Sequence, residues 1–339
     1  MQINLPVVSS GTSLLGNLYK ELPYGEKRAI VKEYIDATPA GSTPLFDSAG
    51  KYGAGLALEE LGKCLSDLGV NKDAVLISNK LAWVRKPLLT PEPTFEKGIW
   101  HNLKNDAEQK ISYDGILECF RQGNELLGDY RPQLVSVHDP DEYLAAAIDA
   151  GDYRKRYEDI LSAYQALSDL KSKGEVAGIG IGAKDWRAIE KIAKDVQLDW
   201  IMIANSYTIY SHPPELIAFL EELHKKDITI INSAVFHGGF LMGSDYFNYN
   251  LLSRENPEHR PYYKWRGAYY TICGEFGIDP AAAAIYFGLH VPGVKSIALN
   301  SSNPARVRKN VEMGHQEIPA SFWARLKAEG LIAANYPYL

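Results

Sequence analysis

The chain has 339 residues, of which 46% are apolar, and a formal net charge of −6. This length fits either one large α/β barrel or two ordinary domains, and the apolar content is enough for a substantial core. No composition break or internal repeat separates two domains, so we predict one domain over residues 1–339. The negative charge argues against nucleic acid or an acidic membrane surface as a partner.

The three cysteines, Cys64, Cys119 and Cys273, are odd in number and far apart, so we expect no disulfide framework. The first ten residues do not show a basic segment followed by an apolar core, and no run approaches about 20 apolar residues. We therefore expect a cytoplasmic protein without membrane association. The sequence leaves the oligomeric state open.

Short apolar runs rich in β-branched residues alternate with longer stretches of helical period, which is typical of repeated βα units. We predict strands near residues 6–10, 43–47, 74–80, 133–138, 176–182, 199–204, 228–233 and 295–299. We predict helices near residues 26–38, 55–68, 114–127, 157–173, 185–194, 213–225, 260–290 with a break before Pro280, 303–312 and 319–333. Eight strands fit a closed barrel, so the predicted fold is α/β, a (β/α)8 TIM barrel.

Polar residues close three consecutive predicted strands. Asp47 ends the first of these strands and Tyr52 follows it, Lys80 ends the second strand, and His138 ends the third. The C-terminal ends of barrel strands meet at the face that carries active sites, so we expect the four side chains to share a pocket. Lys51 lies in the turn before Tyr52 and is not chosen as the functional lysine.

These four residue types in one pocket indicate proton transfer at an alcohol or carbonyl carbon. Tyrosine is a poor acid or base at its reference pKa of about 10, but a nearby ammonium such as that of Lys80 favours the phenolate. Asp47 would hold Lys80, and a neutral His138 would donate a hydrogen bond to a substrate oxygen and orient it against Tyr52.

The sequence has no nucleophile elbow, no phosphate-binding loop of the P-loop type and no metal-ligand cluster, so we expect no metal. Redox chemistry at carbon would therefore require a bound cofactor.

The order of these residues gives the chain a resemblance to the aldo-keto reductases over nearly its whole length. The five-residue step from Asp47 to Tyr52, the 28-residue step to Lys80 and the GTS at 11–13 match that family's pattern. Four further segments resemble its branch of D-threo-aldose, L-fucose and pyridoxal dehydrogenases: SYDGIL at 112–117, VHDPDEY at 137–143, GIGIGAKDW at 178–186 and NSAVFHGGFL at 232–241.

The resemblance implies a nicotinamide nucleotide across the barrel mouth. Its diphosphate would lie by the segment at 232–241, where Gly238 and Gly239 allow backbone amides to approach phosphate. Its adenosine would lie by the loop after the eighth strand. The cofactor-binding residues implied are Gly11, Thr12, Ser233, Ala234, Phe236, Gly238, Gly239, Asn300, Ser301, Arg306 and Asn310.

The eighth-strand motif bears on the choice of cofactor. Ser301, Arg306 and Asn310 match the family's pattern, but Asn300 stands where a cation is often found. Because charge-assisted contacts are the strong ones, losing this cation weakens selection for a 2′-phosphate. We therefore expect NAD, with NADP left possible by Arg306. Arg308 is interpreted as part of a solvated helix face.

Other family positions differ here. Gly182 and Ala183 replace a serine–asparagine pair, Met202 replaces a glutamine, and Ser233 replaces a stacking tyrosine. Asn205, Asn232 or backbone groups are left as candidates to hold the carboxamide. The alternating glycines at 178, 180 and 182 lie within a predicted strand, so they are interpreted as packing residues and not as a dinucleotide fingerprint.

Two stretches without a clear period, 82–112 and 243–264, predict long loops at the catalytic face. The first carries Phe95, Trp100 and His101, and the second carries five aromatics: Tyr246, Phe247, Tyr249, Tyr262 and Tyr263. Aromatic rings suit the apolar faces of a sugar, although they equally serve to pack the loops. We predict Trp83, Trp100, His101 and Asp139 as the substrate-binding residues.

The resulting hypothesis is an NAD(P)-dependent dehydrogenase that oxidises the C1 hydroxyl of a free aldose to a lactone. The alternative is an NADPH-dependent reductase of aldehydes or ketones, including pyridoxal-type substrates. A more distant alternative is a nucleotide-binding regulatory subunit without turnover.

Overall fold

A computed structural model of the chain describes residues 4–248 and 250–339. Within these residues the strands are β1 (Val8–Gly11), β2 (Leu45–Ala49), β3 (Leu76–Leu81), β4 (Trp83–Pro87), β5 (Asn105–Gln109), β6 (Leu134–His138), β7 (Gly178–Ala183), β8 (Trp200–Ala204), β9 (Thr229–Ser233), β10 (Tyr246–Phe247), β11 (Asn250–Leu251) and β12 (Val294–Leu299). Eight of them form a closed parallel barrel in the order β1, β12, β9, β8, β7, β6, β3, β2. The predicted TIM barrel is confirmed.

The helices surround this barrel. Those described are α1 (Tyr24–Ala37), α2 (Leu56–Asp67), α3 (Tyr113–Leu126), α4 (Pro140–Ala145), α5 (Ala150–Ser172), α6 (Trp186–Ile192), α7 (Pro214–Lys225), α8 (Arg260–Phe276), α9 (Pro280–Leu289), α10 (Pro304–Met313) and α11 (Ala320–Ala328). α5 begins seven residues before the predicted start, because the Asp149 side chain accepts the N–H groups of Gly151 and Asp152 and caps the helix there. None of the described helices is both long and apolar enough to cross a bilayer.

The two predicted loops are partly regular structure. In 82–112, β4 and β5 form an antiparallel hairpin that pairs Trp83 with Gln109 and Pro87 with Asn105. In 243–264, β10 and β11 have two residues each and pair antiparallel before α8 begins. The prediction of long irregular loops is therefore wrong for these parts, although residues 88–104 form an irregular connection between β4 and β5. Tyr249 lies outside the described residues.

Side chains alternate between the barrel interior and the helices. An interior cluster contains Leu45, Leu134, Trp200, Met202 and Ile231. A Cβ on Gly180 would be 2.4 Å from the Trp200 indole, so glycine leaves the space that this ring fills. The packing role predicted for the alternating glycines is confirmed at this position.

Candidate active site

The four predicted catalytic side chains come from three neighbouring barrel strands. Asp47 lies in β2, Lys80 near the end of β3, and His138 is the last residue of β6. Ala49 pairs with Lys80 in the sheet, and Lys80 pairs with Ser136, two residues before His138. The structure therefore brings these side chains to the C-terminal end of the barrel, where the sequence predicts them.

Within this group, Lys80 lies between Asp47 and Tyr52. Its ammonium donates to Asp47 Oδ2, and its Nζ lies 4.9 Å from the centre of the Tyr52 ring. The rings of Tyr52 and His138 meet edge to face with centroids 5.5 Å apart. Lys80, Asp47 and His138 are buried, whereas Tyr52 is half-buried. This geometry places the ring of a tyrosine beside a buried ammonium and an imidazole.

The turn after β2 fixes the position of Tyr52. Its backbone N–H donates to Ala49 O at 3.1 Å. Gly53 has a φ of 61°, and a Cβ there would be 2.3 Å from Gly16 O. Only glycine combines that φ with so close a backbone approach. The turn therefore packs directly on the short helical segment at 13–16.

His138 is held neutral by its surroundings. Burial, followed by the ammonium groups of Lys80, Lys51 and Lys184, lowers the pKa of His138 well below its ordinary value. Its Nδ1 has no hydrogen-bond partner among the described residues, and its Nε2 lies 3.6 Å from Asp139 Oδ2. A buried N–H without an acceptor is costly, so these contacts favour the tautomer with the proton on Nε2.

A row of aromatic rings extends from Tyr52 into the insertion at residues 82–112, which contains the β4–β5 hairpin. We call the rings of Tyr52, Trp100, Phe95 and Trp83 the aromatic wall. Tyr52 and Trp100 lie 6.0 Å apart between centroids, Trp100 and Phe95 6.4 Å, and Phe95 and Trp83 5.7 Å. Phe95 and Trp100 are each 7% exposed and belong to a separate apolar cluster under the hairpin. These rings pack on one another, and Trp83 is the more exposed of the two tryptophans. The wall therefore supports Tyr52 from the side of the insertion.

Two predicted substrate residues have other contacts. The His101 side chain is exposed, and its backbone N–H and C=O pair with Asn17. Asp139 is buried, and its Oδ2 lies 3.2 Å from Lys51 Nζ and 3.7 Å from Lys184 Nζ. The Asp139 carboxylate is thus already engaged by two lysines. A direct contact of His101 or Asp139 with substrate stays a prediction.

The segment after β9 has a backbone suited to an anion. Ala234, His237, Gly238 and Gly239 have φ values of 53°, 49°, 70° and 94°. The backbone N–H groups of Phe236 and Gly238 have no acceptor among the described residues. Such concave stretches with available N–H groups bind phosphate oxygens. This segment therefore fits the diphosphate of a nucleotide.

Two other predicted cofactor residues have structural partners. The hydroxyl of Ser233, the last residue of β9, donates to Ile203 O at 3.0 Å. Thr12, which follows Gly11 at the end of β1, donates both its N–H and its hydroxyl to Asp47 O at 3.0 Å. Thr12 therefore positions the strand that carries Asp47.

The loop after β12 contains the predicted adenosine-side residues. Asn300 Nδ2 donates to Ser13 Oγ at 2.6 Å, and a Cβ on Gly11 would be 3.6 Å from Asn300 Cβ. Ser301 Oγ donates to Asn303 O, and the Asn303 side chain caps α10. Asn310 is half-buried on the same helix.

The cations of α10 differ in their pairing. Arg308 pairs with Glu33 at 2.6 Å, and Lys309 pairs with Asp279 at 2.6 Å. Arg306 is exposed and has no ion pair among the residues that the structure describes. Arg306 is therefore the cation of this helix that remains for a phosphate, and the interpretation of Arg308 as a surface residue is confirmed.

One candidate for the carboxamide is otherwise occupied. Asn232 Nδ2 donates to Tyr207 O at 2.9 Å and to Gly288 O at 3.0 Å, the latter in α9 outside the barrel. Asn205 follows β8, is half-buried and has a φ of 58°. The Asn232 amide nitrogen is therefore engaged outside the barrel, and a contact of Asn205, Asn232 or backbone groups with the carboxamide stays a prediction.

Sequence reasoning missed a group of charges beside His138. The ammonium of Lys51 contacts Glu96, Asp139 and Glu142, and Lys184 contacts the last two. Lys51 was set aside because it precedes Tyr52 in a turn. Its partners are distant in the sequence, so no local signal indicates them.

A closed parallel barrel with an aspartate, a tyrosine, a lysine and a histidine at its C-terminal end is the arrangement of a TIM-barrel oxidoreductase. The chain belongs to the aldo/keto reductase family, whose model matches residues 7–329.

Characterised relatives agree with this assignment. The chain is 28% identical to pyridoxal 4-dehydrogenase from Microbacterium luteolum, over 98% of this chain and 96% of the relative. It is 27% identical to D-threo-aldose 1-dehydrogenase from a Pseudomonas species, over 97% and 95%. The solved structure of a glycerol dehydrogenase from Gluconobacter oxydans matches with a TM-score of 0.69 at 14% identity, covering 99% of this chain and 94% of that one. That last likeness is one of fold alone.

Proposed function

We propose that this protein is an NAD(P)-dependent dehydrogenase that oxidises the C1 hydroxyl of a free aldose to a lactone. The observation that carries the proposal is the contact of Lys80 with both Asp47 and the Tyr52 ring, beside a neutral His138. The two relatives named above are both dehydrogenases, and one of them acts on aldoses.

The proposed chemistry divides the reaction among these side chains. The Lys80 ammonium, anchored by Asp47, favours the Tyr52 phenolate, which takes the proton of the C1 hydroxyl. The Nε2–H of His138 donates to a substrate oxygen and orients the sugar. A bound nicotinamide nucleotide would supply the acceptor for the hydride of C1. The substrate loses one proton and one hydride, which leaves the carbonyl of the lactone.

The cofactor would be held by the loops at the barrel mouth. The segment after β9 offers the N–H groups of Phe236 and Gly238 to the diphosphate. Ser301, Arg306 and Asn310 face the adenosine side in this proposal. NAD is favoured because Asn300 supplies no positive charge to a 2′-phosphate.

The primary experiment measures initial rates of NADH and NADPH formation at alkaline pH. The substrate panel is L-fucose, D-arabinose, L-galactose, L-xylose and pyridoxal. Turnover of an aldose with NAD supports the proposal. If no compound is oxidised but NADPH reduces simple aldehydes, the reductase alternative replaces it.

Pyridoxal is included for a structural reason. The exposed part of Trp83 offers flat apolar surface, which suits a pyridine ring as well as a sugar face. Preferred oxidation of pyridoxal would keep the dehydrogenase mechanism and change only the substrate.

The Tyr52→Phe variant tests the catalytic assignment. It should lose activity by a factor on the order of 10² or more while still binding cofactor. Cofactor binding is measured by quenching of tryptophan fluorescence. A variant as active as an active wild type would contradict the role assigned to Tyr52, whereas a wild type that binds nucleotide but turns over no substrate would favour the regulatory alternative.

A further inference from the structure

We propose that Lys51 is a positioning residue of the active site, which joins the aromatic wall to the barrel and compensates the carboxylate beside His138. The proposal rests on the proposed function for its kinetic readouts. Lys51 reaches Tyr52 and His138 through Glu96 and Asp139, so its role in the reaction is indirect.

The geometry around Lys51 is that of a buried junction. Its side chain is 4% exposed, and its Nζ lies 2.8 Å from Glu96 Oε1, 3.2 Å from Asp139 Oδ2 and 3.2 Å from Glu142 Oε2. Lys184 also contacts Asp139 and Glu142. We call these five residues the Lys51 network. It contains two cations and three carboxylates, so removing Lys51 leaves acidic groups without sufficient compensation.

The network joins four separate segments of the chain. Lys51 lies in the turn after β2, and Glu96 lies in the connection between β4 and β5. Asp139 and Glu142 follow β6, and Lys184 follows β7. All four segments leave the C-terminal ends of barrel strands or the insertion above them. One ammonium therefore fixes the insertion relative to the strands that carry Asp47, Lys80 and His138.

On one side the network reaches the aromatic wall. Glu96 Oε2 accepts the Trp100 indole N–H at 2.6 Å, while its Oε1 contacts Lys51. Trp100 in turn lies against Tyr52. Glu96 has a φ of 42°, a conformation that non-glycine residues adopt at a cost and keep where surrounding contacts require it. The Lys51–Glu96 pair therefore helps to hold the Trp100 indole beside Tyr52, together with the backbone bridge between Leu18 and Trp100.

On the other side the network reaches His138. Asp139 also has a positive φ, 47°, and its Oδ2 lies between Lys51 Nζ and His138 Nε2, at 3.2 Å and 3.6 Å. An uncompensated carboxylate there would favour a charged imidazole, which adds a positive charge beside Tyr52 and a second N–H at Nδ1, a buried atom without an acceptor among the described residues. Lys51 and Lys184 oppose this effect.

The charges that face His138 come from several elements. Lys80 of β3, Lys51 and Lys184 lower its pKa after burial, and Glu142 raises it. For Lys51, burial lowers the pKa, but Asp139, Glu96 and Glu142 together raise it above the ordinary value, so it stays charged. The compensation of Asp139 therefore persists across the working pH range.

The test compares three variants. Lys51→Met removes the charge, Lys51→Arg keeps it, and Glu96→Gln removes the charge of the carboxylate that joins Lys51 to Trp100. Lys194→Met is the matched control, because Lys194 is an exposed lysine paired with Glu190. The readouts are the NMR titration of the His138 imidazole, the tryptophan fluorescence spectrum, and KM and kcat as functions of pH.

For Lys51→Met we expect the His138 titration and the acid limb of kcat to move up by about one pH unit. We also expect a shifted tryptophan spectrum and a KM raised about 10-fold. Glu96→Gln should change the spectrum and KM but leave the His138 titration unchanged. Lys51→Arg should restore the wild-type His138 titration, and Lys194→Met should change nothing.

The proposal is overturned if Lys51→Met leaves either the His138 titration or the tryptophan spectrum as in the wild type. If Lys51→Met fails to fold, the other two variants decide, and an unchanged spectrum in Glu96→Gln or a shifted titration in Lys51→Arg overturns it. The NMR and fluorescence readouts need no turnover. A failure of the sugar dehydrogenase assignment would therefore remove only KM and kcat and leave the test of Lys51 intact.

Discussion

Gly182 of β7 lies directly against the side chain of Lys80, on the strand that pairs with the one ending at His138. A Cβ at position 182 would be 2.9 Å from Lys80 Cδ and 3.9 Å from Ser136 Oγ. The φ of Gly182 is not positive, so alanine fits the backbone and the consequence is purely steric. The absence of a side chain at 182 is therefore what allows Lys80 to extend toward Tyr52.

We expect Gly182→Ala to displace the Lys80 ammonium and reduce kcat by a factor on the order of 10 to 100, because small displacements of catalytic groups are costly. The matched control is Gly267→Ala in α8, where a Cβ would meet nothing within 4 Å. Steady-state kinetics with both variants provide the measurement. Equal kcat values for the wild type and Gly182→Ala would show that the lysine does not need this space.

The Lys80–Asp47 pair predicts a stability effect that is separate from catalysis. Both side chains are buried, at 3% and 5% exposure. Removing one partner of a buried pair leaves the other charge uncompensated, so Asp47→Asn should lower the free energy of unfolding by about 3 kcal/mol. Urea denaturation measures this change.

A double variant gives the matched comparison for that pair. Asp47→Asn combined with Lys80→Met should lose less stability than the sum of the single variants, since no charge is left buried alone. The exposed pair of Glu222 with Lys226 is the control, and Glu222→Gln should change stability by less than about 0.5 kcal/mol. Additive losses would contradict a coupled pair.

His237 predicts how stability depends on pH. Its Nε2 lies 2.6 Å from Thr208 Oγ1 and its Nδ1 lies 2.9 Å from Asn248 Oδ1. Burial lowers the pKa of His237 from 6.5 to about 4, although the bond to Asn248 opposes this. The unfolded chain therefore binds more protons than the folded one between pH 4 and 6.5, and stability falls as the pH drops through that window.

At pH 5 this residue should reduce the free energy of unfolding by about 2 kcal/mol relative to pH 8. In His237→Gln the loss between the two pH values should shrink by that amount. His315, which is exposed, supplies the control variant His315→Gln. Urea denaturation at both pH values measures the differences, and an equal loss in His237→Gln and the wild type would contradict the buried neutral state.

The sequence predicted those features whose signals are local. The barrel strands are apolar and β-branched, and they alternate along the chain with helical patterns, which was enough to predict the barrel. Asp47, Lys80 and His138 lie at or near the ends of such strands, which was enough to predict that they share a pocket. The β5 strand, in contrast, reads NDAEQ and carries no apolar alternation. Its pairing depends on contacts from elsewhere, such as the 2.6 Å bond from Lys110 N–H to Ala82 O.

The Lys51 network was missed for a related physical reason. A lysine in a polar turn normally lies in solvent, and burial of Lys51 depends on carboxylates 45, 88 and 91 residues away. Only the folded barrel brings the ends of β2, β6 and the insertion together. The aromatics at 82–112 were identified, but whether they pack or face substrate depends on the hairpin register, which the sequence does not specify.

Arg306 and Asn300 provide the last prediction, on the choice between NAD and NADP. Arg306→Ala should raise the KM for NADP about 10-fold and that for NAD much less, because its guanidinium is the cation of α10 left for a phosphate. Arg308→Ala is the matched control, since Arg308 pairs with Glu33 and should leave both KM values unchanged. Asn300→Arg should act in the opposite direction and lower the KM for NADP about 10-fold, by restoring a charge-assisted contact. Initial rates at varied NAD and NADP give all three comparisons. If Arg306→Ala and Arg308→Ala behave alike, or Asn300→Arg leaves the NADP to NAD ratio unchanged, the 2′-phosphate does not lie against this loop, and the basis for expecting NAD is lost.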